Sequence, residues 1–340
     1  MERRKILVTG GLGYIGSHTI VSLFESGFYP IIVDDLSNSS FGTSDDINKI
    51  CDSDIPFYIL DIRNRKDLSR VFSEHDIWGV IHFAAHKYVG ESVSDPIKYY
   101  SNNIEGLCSL VSVMNDFGVK NIVYSSSCSV YGDEPNQPVK ETMHRYRNAA
   151  SPYAHTKQIG ESMLESFCSA YGTRSFCLRY FNPGGAHPSL LIGEAPGKKE
   201  SNLFPIMCRS VLEDSFTMSV FGDDYGTPDG TCIRDYIHVC DLSDAHVKAI
   251  EKIESYKGDE SFFDIVNIGT GIGTSVMECI NKFTEVNSIA PKFNISERRN
   301  GDVEMVWSET SKSISILNWR PKRTLADICK SSYEWSKKFY

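Results

Sequence analysis

The stretch KILVTGGLGYIGSH, residues 5–18, decides the fold of this chain of 340 residues. Residues 5–9 form a short apolar run, which is typical of a strand buried on both faces of a parallel sheet. Gly11, Gly13 and Gly16 follow in the pattern G-x-G-x-x-G, with Gly10 as a fourth glycine, and a helical run comes next. Such a turn lets the backbone approach a pyrophosphate at the first N–H groups of the helix. The stretch therefore predicts a dinucleotide site between a strand and a helix.

Asp34 stands where a dinucleotide site needs a carboxylate. The segment PIIVDD, residues 30–35, is predicted as the second strand, and it ends about 20 residues beyond the glycines. A carboxylate there accepts hydrogen bonds from the adenosine ribose hydroxyls and repels a 2′-phosphate. No arginine directly follows the strand, which favours NAD over NADP. The alternative is that Asp34 and Asp35 are solvated carboxylates in a turn.

Strands and helices continue to alternate along the first half of the chain. Further strands are predicted at FYILDIRN (57–64), WGVIHFAAHK (78–87), KNIVYSSSCSVYG (120–132) and TRSFCLRYFN (173–182). The first of these ends at Asp61 and Ile62. A long helix is predicted over 95–117 and carries Asn102 and Asn103. This alternation predicts an α/β fold, a Rossmann-type, doubly wound parallel sheet. Ligands of such sheets bind at the carboxyl ends of the strands, where these polar residues fall.

The composition of the chain changes after Gly184 and Gly185. Residues 183–201 are rich in Gly and Pro and are predicted to be irregular, and the elements beyond them are shorter and mixed. We therefore expect a Rossmann domain over residues 1–183 and a smaller, mixed α/β substrate domain over residues 184–340. The boundary is soft, because some later strands are compatible with the main sheet.

The segment SPYAHTK, residues 151–157, places Tyr153 and Lys157 four positions apart. On a helix this spacing puts both side chains on one face, about one turn apart. A free phenol titrates near pH ~10, and a neighbouring ammonium lowers its pKa, as a general base requires. Taken alone, such a pair is usually a solvated helix face with one semi-buried ring.

Charge and cysteine usage limit the partners and the compartment. The formal net charge of −9 argues against nucleic acid and an anionic membrane as main partners. No apolar run approaches ~18 residues, and the first residues lack a signal-peptide core. The ten cysteines include no C-x-x-C pair, so free thiols in the cytoplasm are expected. His82 and His86 lack a third ligand at a sensible spacing, so we predict no metal and interpret both as structural.

Seven motifs, in order, carry a resemblance that covers about residues 5–330. They are GGLGYIGSH, HFAAHKYVGES (82–92), SSSCSVYG (125–132), SPYAHTK, LRYFNPGGAH (178–187), DGTCIRDYIHVCDL (229–242) and RRNGD (298–302). Together they resemble the UDP-glucose (UDP-galactose) 4-epimerases, a family of the extended short-chain dehydrogenase/reductase superfamily. The resemblance implies reversible epimerisation at carbon 4 through a transient 4-keto sugar, with tightly bound NAD, in a homodimer.

The resemblance also implies roles for individual residues. Tyr153 is expected to be the acid/base, Lys157 its pKa-lowering and ribose-binding partner, and Ser127 the hydrogen-bond partner of the sugar 4-oxygen. Cofactor contacts are expected at Gly10, Gly13, Tyr14, Ile15, Asp34, Asp35, Asn38, Ser39, Asp61, Ile62, Phe83, Ala84, Ala85, Lys87, Asn102 or Asn103, Tyr153, Lys157 and Tyr180. Substrate contacts are expected at Lys87, Ser127, Tyr153, Asn182, Asn202, Leu203, Arg234, Arg299, Asp302 and Val306.

Several alternatives stay open beside these roles. Instead of binding the substrate, Arg234 could form an internal ion pair with Asp235. Likewise, the RRNGD motif could be a surface turn with no role in binding. Val306 stands where the family tends to have either a bulky Tyr or a small residue against the sugar 2-substituent. A small residue leaves room for an N-acetyl group, so we also expect activity on UDP-GlcNAc and UDP-GalNAc.

Three rival functions were weighed against epimerisation of UDP-glucose. A 4,6-dehydratase is disfavoured, because Cys128 and Ser129 stand where those enzymes typically need Asp and Glu. A UDP-glucuronate or other UDP-sugar 4-epimerase remains an alternative. A non-enzymatic NAD-binding sensor or scaffold is disfavoured, because such proteins usually lose the catalytic Tyr or Lys, and Ser127, Tyr153 and Lys157 are all present here.

Overall fold

The fold is organised by a seven-stranded parallel sheet. The computed structural model describes residues 3–143, 149–196, 202–258, 260–299 and 302–340. Its strands are β1 (Lys5–Thr9), β2 (Tyr29–Asp34), β3 (Phe57–Ile59), β4 (Ile77–His82), β5 (Asn121–Ser127), β6 (Arg174–Tyr180), β7 (Asn182–Gly184), β8 (Met218–Phe221), β9 (Ile233–His238), β10 (Phe262–Ile268), β11 (Gly273–Ser275), β12 (Phe293–Ser296) and β13 (Met305–Val306). The large sheet has the order β10-β6-β5-β4-β1-β2-β3, and all of its pairs are parallel. The predicted Rossmann-type fold class is confirmed.

Helices cover both faces of this sheet. They are α1 (Tyr14–Glu25), α2 (Gly42–Cys51), α3 (Arg65–Glu74), α4 (Val89–Ser94), α5 (Pro96–Tyr100), α6 (Gly106–Asp116), α7 (Pro152–Tyr171), α8 (Leu203–Leu212), α9 (Val239–Ser255), α10 (Val276–Asn287), α11 (Ser311–Leu317) and α12 (Leu325–Ser336), with a π-helical turn at Ser101–Glu105 and a 3₁₀ turn at Cys128–Tyr131. None of the helices in the described ranges has the length and apolar character that a bilayer span requires.

Burial of β1 on both faces of the sheet explains why its sequence is largely apolar. Ile6 and Val8 join one buried apolar cluster, whereas Leu7 joins another on the opposite face. Alternate side chains of a strand point to opposite faces, so a sheet covered on both sides needs an unbroken apolar run. The first cluster includes residues of α1 and α9, and the second includes residues of α3, α6 and α7.

Several predicted elements differ from the structure in extent. Strand β3 ends at Ile59, so Asp61 and Ile62 follow it in a turn. The helix predicted over 95–117 is helical without a break over residues 96–116, where α5, the π-helical turn and α6 follow one another directly. The segment predicted as irregular includes Pro183 and Gly184, which lie in β7 and pair with β9; residues 197–201 lie outside the described residues.

The later part of the chain contributes to both the large sheet and smaller ones. Strand β10 pairs with β6 along its length, and thus a strand beyond residue 183 does join the main sheet. Strands β11, β9 and β13 form a second sheet with β7, and β8 pairs with β12. A separate apolar cluster includes Phe204, Met207 and Phe283. The division into domains at residue 183 stays a prediction.

A buried ion pair fixes α7 on the sheet. Arg179 of β6 donates from Nε to Glu161 Oε1 at 2.8 Å and from a terminal nitrogen to Oε2 at 2.6 Å. The hydroxyl of Ser126 adds a third donor at 2.5 Å. Both charged side chains are inaccessible to solvent. If one partner were removed, water could not solvate the charge of the other.

Removal of one partner of this pair should destabilise the fold. Glu161→Ala leaves the Arg179 guanidinium buried and unpaired, which typically costs about 3–5 kcal/mol of unfolding free energy. The control is Glu285→Ala, which breaks an exposed pair with Lys282 and should cost less than about 1 kcal/mol. Urea unfolding of the two variants measures the difference. Equal losses in both variants would contradict the assigned role of the buried pair.

Candidate active site

A cavity of about 930 Å³, including its open mouth, lies at the carboxyl edge of the large sheet. We call it the first cavity. The predicted cofactor residues that line it are Gly10, Gly13, Tyr14, Ile15, Asp34, Asp35, Asn38, Ser39, Asp61, Ile62, Phe83, Ala84, Ala85, Lys87, Asn102, Tyr153, Lys157 and Tyr180. Asn103 does not line it, because its amide bonds the backbone of His86 and the hydroxyl of Thr156.

The glycine-rich turn leaves space for a ligand at the start of α1. Gly10 has a φ of +69°, and a Cβ there would lie 2.7 Å from the backbone nitrogen of Ala84. Gly13 is the N-cap residue of α1, and no side chain caps the helix. The first N–H groups of α1 therefore remain available at the wall of the cavity, which fits a dinucleotide pyrophosphate.

Asp34 is held by the backbone and by one side chain at the end of β2. Its carboxylate accepts hydrogen bonds from the backbone of Leu12 at 3.0 Å and Leu36 at 2.9 Å, and from the hydroxyl of Ser39 at 2.7 Å. These donors fix the orientation of a buried carboxylate that lines the cavity. A carboxylate held in this way fits the ribose-binding position that the spacing predicted.

The sequence before Tyr153 explains where α7 begins. The Ser151 hydroxyl accepts a hydrogen bond from the Ala154 N–H at 3.2 Å, and Pro152 occupies the first turn. Both are common signals for a helix N-terminus. The helix therefore starts just before Tyr153 and places it one turn ahead of Lys157, as the spacing predicted.

Tyr153 and Lys157 are both buried at the wall of the first cavity. The Lys157 ammonium donates to the backbone oxygen of Ser125 at 2.6 Å and lies 5.9 Å from the centre of the Tyr153 ring. Ser127, at the end of β5, accepts a hydrogen bond from the Ser129 N–H at 3.2 Å. The three predicted catalytic residues thus meet where β5 ends and α7 begins.

The electrostatics of the pair correct one of our predictions. Burial raises the pKa of Tyr153, Tyr180 raises it further, and a hydrogen bond with Ser127 lowers it. The net direction is upward, opposite to the one we predicted from the lysine alone. Burial also lowers the pKa of Lys157, to about 8, so the low-polarity surroundings work against both charged forms.

A second cavity of about 840 Å³, including its open mouth, collects the predicted substrate residues. It is lined by Asn182, Asn202, Leu203, Arg234, Arg299 and Asp302. Asn182 follows Tyr180 by two residues, so the two cavities adjoin along the chain at β6 and β7. The Asn182 side-chain oxygen is buried and has no hydrogen-bond partner within the described residues. Such an acceptor suits a ligand that brings its own donor.

Arg234 is not paired with Asp235 in the described part of the chain. One nitrogen of Arg234 donates to the backbone oxygen of Ile233 at 2.8 Å, and the side chain lines the second cavity. Asp235 instead accepts from the backbone and hydroxyl of Thr270 and of Ser308. The internal ion-pair alternative is therefore wrong.

Two described residues of the RRNGD motif, Arg299 and Asp302, line the second cavity. Arg299 donates to both carboxylate oxygens of Asp302, at 3.2 and 2.9 Å, and the Asp302 N–H returns to the Arg299 backbone oxygen. Asn300 and Gly301 lie outside the described residues. The surface-turn alternative falls partly on these two residues, and the predicted binding roles of Arg299 and Asp302 stay predictions.

Four predicted substrate residues do not line the second cavity: Lys87 and Tyr153 line the first cavity, and Val306 and Ser127 line neither of the two. Val306 is buried in an apolar cluster with Val130, Tyr131 and Phe181, and Cys128 packs against this cluster. It pairs with Arg234 in the register of β13 and β9, which puts it beside a cavity-lining residue. Ser127 lies deeper, next to Tyr153. The contacts of both residues with a substrate stay predictions.

The sequence reasoning missed several residues that line the cavities. In the first cavity they are Val33, Ser37 and Leu60, and also His86, which we interpreted from the sequence as structural. In the second they are Pro183, Phe204, Ile206, Met218, Ser219, Val220, Phe221, Cys232, Tyr236 and Val276. Those of the first cavity adjoin a predicted residue in the sequence, whereas most of those in the second cavity are apolar or aromatic and gave no chemical signal. Within the described ranges, no group of three or more His, Cys, Asp or Glu side chains is arranged to hold a metal.

The fold and the first cavity define a dinucleotide-binding protein of the Rossmann class. Comparison with known proteins narrows this class. Residues 6–269 match the NAD dependent epimerase/dehydratase family. The chain is 43% identical to the UDP-glucose 4-epimerase of Bacillus subtilis over 97% of this chain and 96% of that protein. The chain belongs to the NAD dependent epimerase/dehydratase family.

Two solved structures agree with this assignment. A UDP-glucose-4-epimerase from Stenotrophomonas maltophila, with bound NAD and formylated UDP-arabinopyranose, matches with a TM-score of 0.94 and 39% identity, covering 99% of this chain and 98% of the other. A UDP-glucose 4-epimerase from Bifidobacterium longum, in complex with NAD⁺ and UDP, matches with a TM-score of 0.92 and 37% identity over 98% of each chain. The resemblance drawn from the seven motifs is confirmed.

The buried ammonium predicts a pH-dependent stability. The pKa of Lys157 is about 8 in the folded protein and 10.5 in an unperturbed lysine. Between these values the unfolded chain holds a proton that the folded protein has released, so the unfolding free energy rises with pH. The gain should approach about 3 kcal/mol and should be absent from Lys157→Met.

Urea unfolding of nucleotide-free protein at pH about 7 and about 10 measures this gain. The difference between wild type and Lys157→Met removes the contribution of the other titrating groups, which both proteins share. Lys66→Met, at an exposed position, is the control and should follow the wild type. The same pH dependence in wild type and Lys157→Met would contradict a lowered pKa at Lys157.

Proposed function

We propose that the chain interconverts UDP-galactose and UDP-glucose at carbon 4, through a transient 4-keto sugar and with tightly bound NAD. The observation that carries the proposal is the position of Tyr153. Its phenol lines the first cavity and is hydrogen-bonded to Ser127. Tyr180 also lines the first cavity, and Asn182, two residues further along the chain, lines the second. A proton-transfer group is therefore available where a cofactor and a sugar would meet.

Each catalytic residue has a distinct task in this proposal. Tyr153, in its phenolate form, accepts the proton of the C4 hydroxyl and, as the resulting phenol, returns it after the sugar has turned over. Ser127 hydrogen-bonds the C4 oxygen and holds it close to the phenol. Lys157 supplies positive charge and a donor for the cofactor ribose. NAD, when bound, takes up the C4 hydride and returns it to the opposite face of the ketone, so that no net redox change results.

The anchoring of the substrate rests on its nucleotide in this proposal. Arg234 and Arg299 supply charge-assisted donors for a diphosphate, and Asp302 supplies an acceptor for the ribose. The hexose must rotate between the two hydride transfers, so strong contacts to the hexose would impede turnover. This division is supported by the position of both arginines, which line the second cavity and not the first.

The proposal extends to the assembly and the compartment of the protein. A homodimer is supported by the exposed apolar side chains of Val93 and Ile97 on the adjacent helices α4 and α5. A cytoplasmic location is supported by the ten cysteines, all of which are free thiols. The negative net charge supports small-molecule rather than nucleic-acid partners.

Replacement of Tyr153 by Phe tests the proposed chemistry. Tyr153→Phe should lower the conversion of UDP-galactose into UDP-glucose by at least about 100-fold, because the acid/base is lost. The bound NAD should remain, as measured by its release on denaturation. Tyr171→Phe, the same substitution at the exposed end of α7, is the control. Loss of NAD from Tyr153→Phe would make the tyrosine structural, and an inactive wild type that still binds NAD would favour a sensor or scaffold.

We also propose that the enzyme acts on UDP-GlcNAc and UDP-GalNAc, because Val306 is small. Val306→Tyr should remove activity on UDP-GlcNAc but leave that on UDP-galactose, whereas Val306→Ala should keep both. A steady-state assay of the three proteins with both substrates checks this expectation. If Val306→Tyr converts UDP-GlcNAc as well as the wild type does, residue 306 does not set the limit.

A further inference from the structure

The aromatic ring of Tyr124 lies beside the ammonium group of Lys157. The Lys157 nitrogen stands over the face of this ring, 4.9 Å from its centre, and is thus closer to it than to the Tyr153 ring, at 5.9 Å. Tyr124 belongs to β5 and is only 2% exposed. A cation within about 6 Å of a ring face is attracted by its electron density, most strongly where water is excluded. The two side chains therefore form a buried cation–π contact.

Gly160 lets the Tyr124 ring pack directly on α7. A Cβ at Gly160 would overlap the Tyr124 hydroxyl and would lie 2.7 Å from the ring carbon that bears it. A glycine inside a helix weakens the helix relative to alanine, so the close approach of the ring explains this residue. Lys157 and Gly160 are three residues apart and are neighbours on the helix surface. A ring that packs on Gly160 therefore lies beside Lys157.

His82 of β4 stacks on the Tyr124 ring. The two ring centres are 5.8 Å apart, and the ring planes differ by 22°. The imidazole is itself held by Thr9, whose hydroxyl lies 2.7 Å from Nδ1. Burial lowers the pKa of His82 to about 3, so this imidazole is neutral at physiological pH. His82 thus supports the ring without placing a second positive charge near Lys157.

Few other groups stabilise the charge of Lys157. An ammonium has three N–H donors, and within the described residues its hydrogen-bond partner is the backbone oxygen of Ser125. Glu161, one turn further along α7, favours the charged form, but its carboxylate is already bound by both Arg179 nitrogens. The ring face therefore supplies a stabilisation that this carboxylate supplies only in part.

The remaining titratable groups around Lys157 are neutral. Burial raises the pKa of the Cys177 thiol on β6 well above its usual value, and burial does the same to the phenols of Tyr124 and Tyr153. None of the three therefore carries a negative charge at neutral pH. It is the face of the Tyr124 ring, and not a phenolate, that attracts the ammonium.

We infer that Tyr124 is a positioning residue of the active site, whose ring binds the Lys157 ammonium, keeps it charged and holds it beside Tyr153. This role in the reaction rests on the proposed function, whereas the contact itself does not. In that function Lys157 supplies positive charge to the base, and a neutral amine would supply none. Tyr124 lines neither of the two cavities, so it acts through Lys157.

Urea unfolding of nucleotide-free protein measures the contact. The unfolding free energy of the wild type should rise with pH from about pH 8, where folded Lys157 releases its proton. In Tyr124→Leu the ammonium loses the ring face, so the rise should begin about one pH unit lower. Tyr124→Phe keeps the ring and removes the hydroxyl, so its rise should begin where that of the wild type does. Subtracting the same series measured with Lys157→Met added to each protein isolates the contribution of Lys157.

Two further variants separate the contact from damage to the core. Gly160→Ala places a methyl group where the ring packs, so it should displace the ring and shift the rise in the same direction as Tyr124→Leu. Phe176→Leu is the control, because it removes a buried ring from the neighbouring strand β6 on the other face of the sheet, where Phe176 packs on Phe262. Its rise should not shift.

The pH dependence of kcat tests the role in the reaction. The conversion of UDP-galactose should slow at alkaline pH as Lys157 loses its charge. This decline should begin about one pH unit lower in Tyr124→Leu than in the wild type and in Tyr124→Phe. The NAD released on denaturation is measured in each variant, so that loss of cofactor is not mistaken for loss of charge.

The outcomes separate this inference from the proposed function. A shift of the unfolding series in Tyr124→Leu and Gly160→Ala, with none in Tyr124→Phe and Phe176→Leu, supports the contact. No shift in Tyr124→Leu, or the same shift in Tyr124→Phe or Phe176→Leu, overturns it. A shift in unfolding with an unchanged pH dependence of kcat overturns the role in the reaction. A wild type that converts no UDP-galactose overturns the proposed function, whereas the unfolding series still decides on the contact.

Discussion

The ion pair of Glu161 with Arg179 fixes the rotation of α7 against the sheet, and the proposed chemistry depends on that rotation. Tyr153, Lys157 and Glu161 recur every four residues, so they share one face of the helix. The bidentate bonds to Arg179 hold this face towards β5 and β6. Any rotation of the helix would uncover a buried charge, which is costly. The ammonium of Lys157 therefore stays on the backbone oxygen of Ser125, and the Tyr153 phenol stays at the cavity wall.

The same burial that fixes these side chains also sets their electrostatics. The spacing of Tyr153 and Lys157 predicts that a cation lies near a phenol, and in the structure it does. Spacing alone does not predict the net pKa shift, because burial disfavours both the phenolate and the ammonium. In the structure burial is the largest influence on each group. The hydrogen bond with Ser127 is an influence that lowers the pKa of Tyr153, opposite to that of burial.

The features that the sequence predicted well are those in which the local backbone or ligand geometry requires one particular residue type. The glycine turn, the carboxylate at the end of β2 and the helical spacing of Tyr153 and Lys157 are of this kind, and each falls where we expected. Predictions that depend on distant contacts were less accurate. The helix predicted over 95–117 contains a π-helical turn, and β7 forms because a strand some 50 residues later pairs with it. The choice between Asn102 and Asn103, and the contact of Tyr124 with Lys157, depend on which way side chains point across such distant contacts.

Strand β9 shows how alternation along one strand lets two adjacent charges take different roles. Neighbouring side chains of a strand point to opposite faces, so Arg234 and Asp235 are poor partners for each other. Asp235 is fully buried and accepts hydrogen bonds from the loop after β10 and from Ser308 after β13. These bonds join the segments that flank the second cavity. With its acidic neighbour satisfied by these donors, Arg234 can direct its charge into the cavity. The two residues that resemble an ion pair in the sequence therefore have different roles. Asp235 holds together the segments that flank the second cavity, and Arg234 is left to contact the ligand.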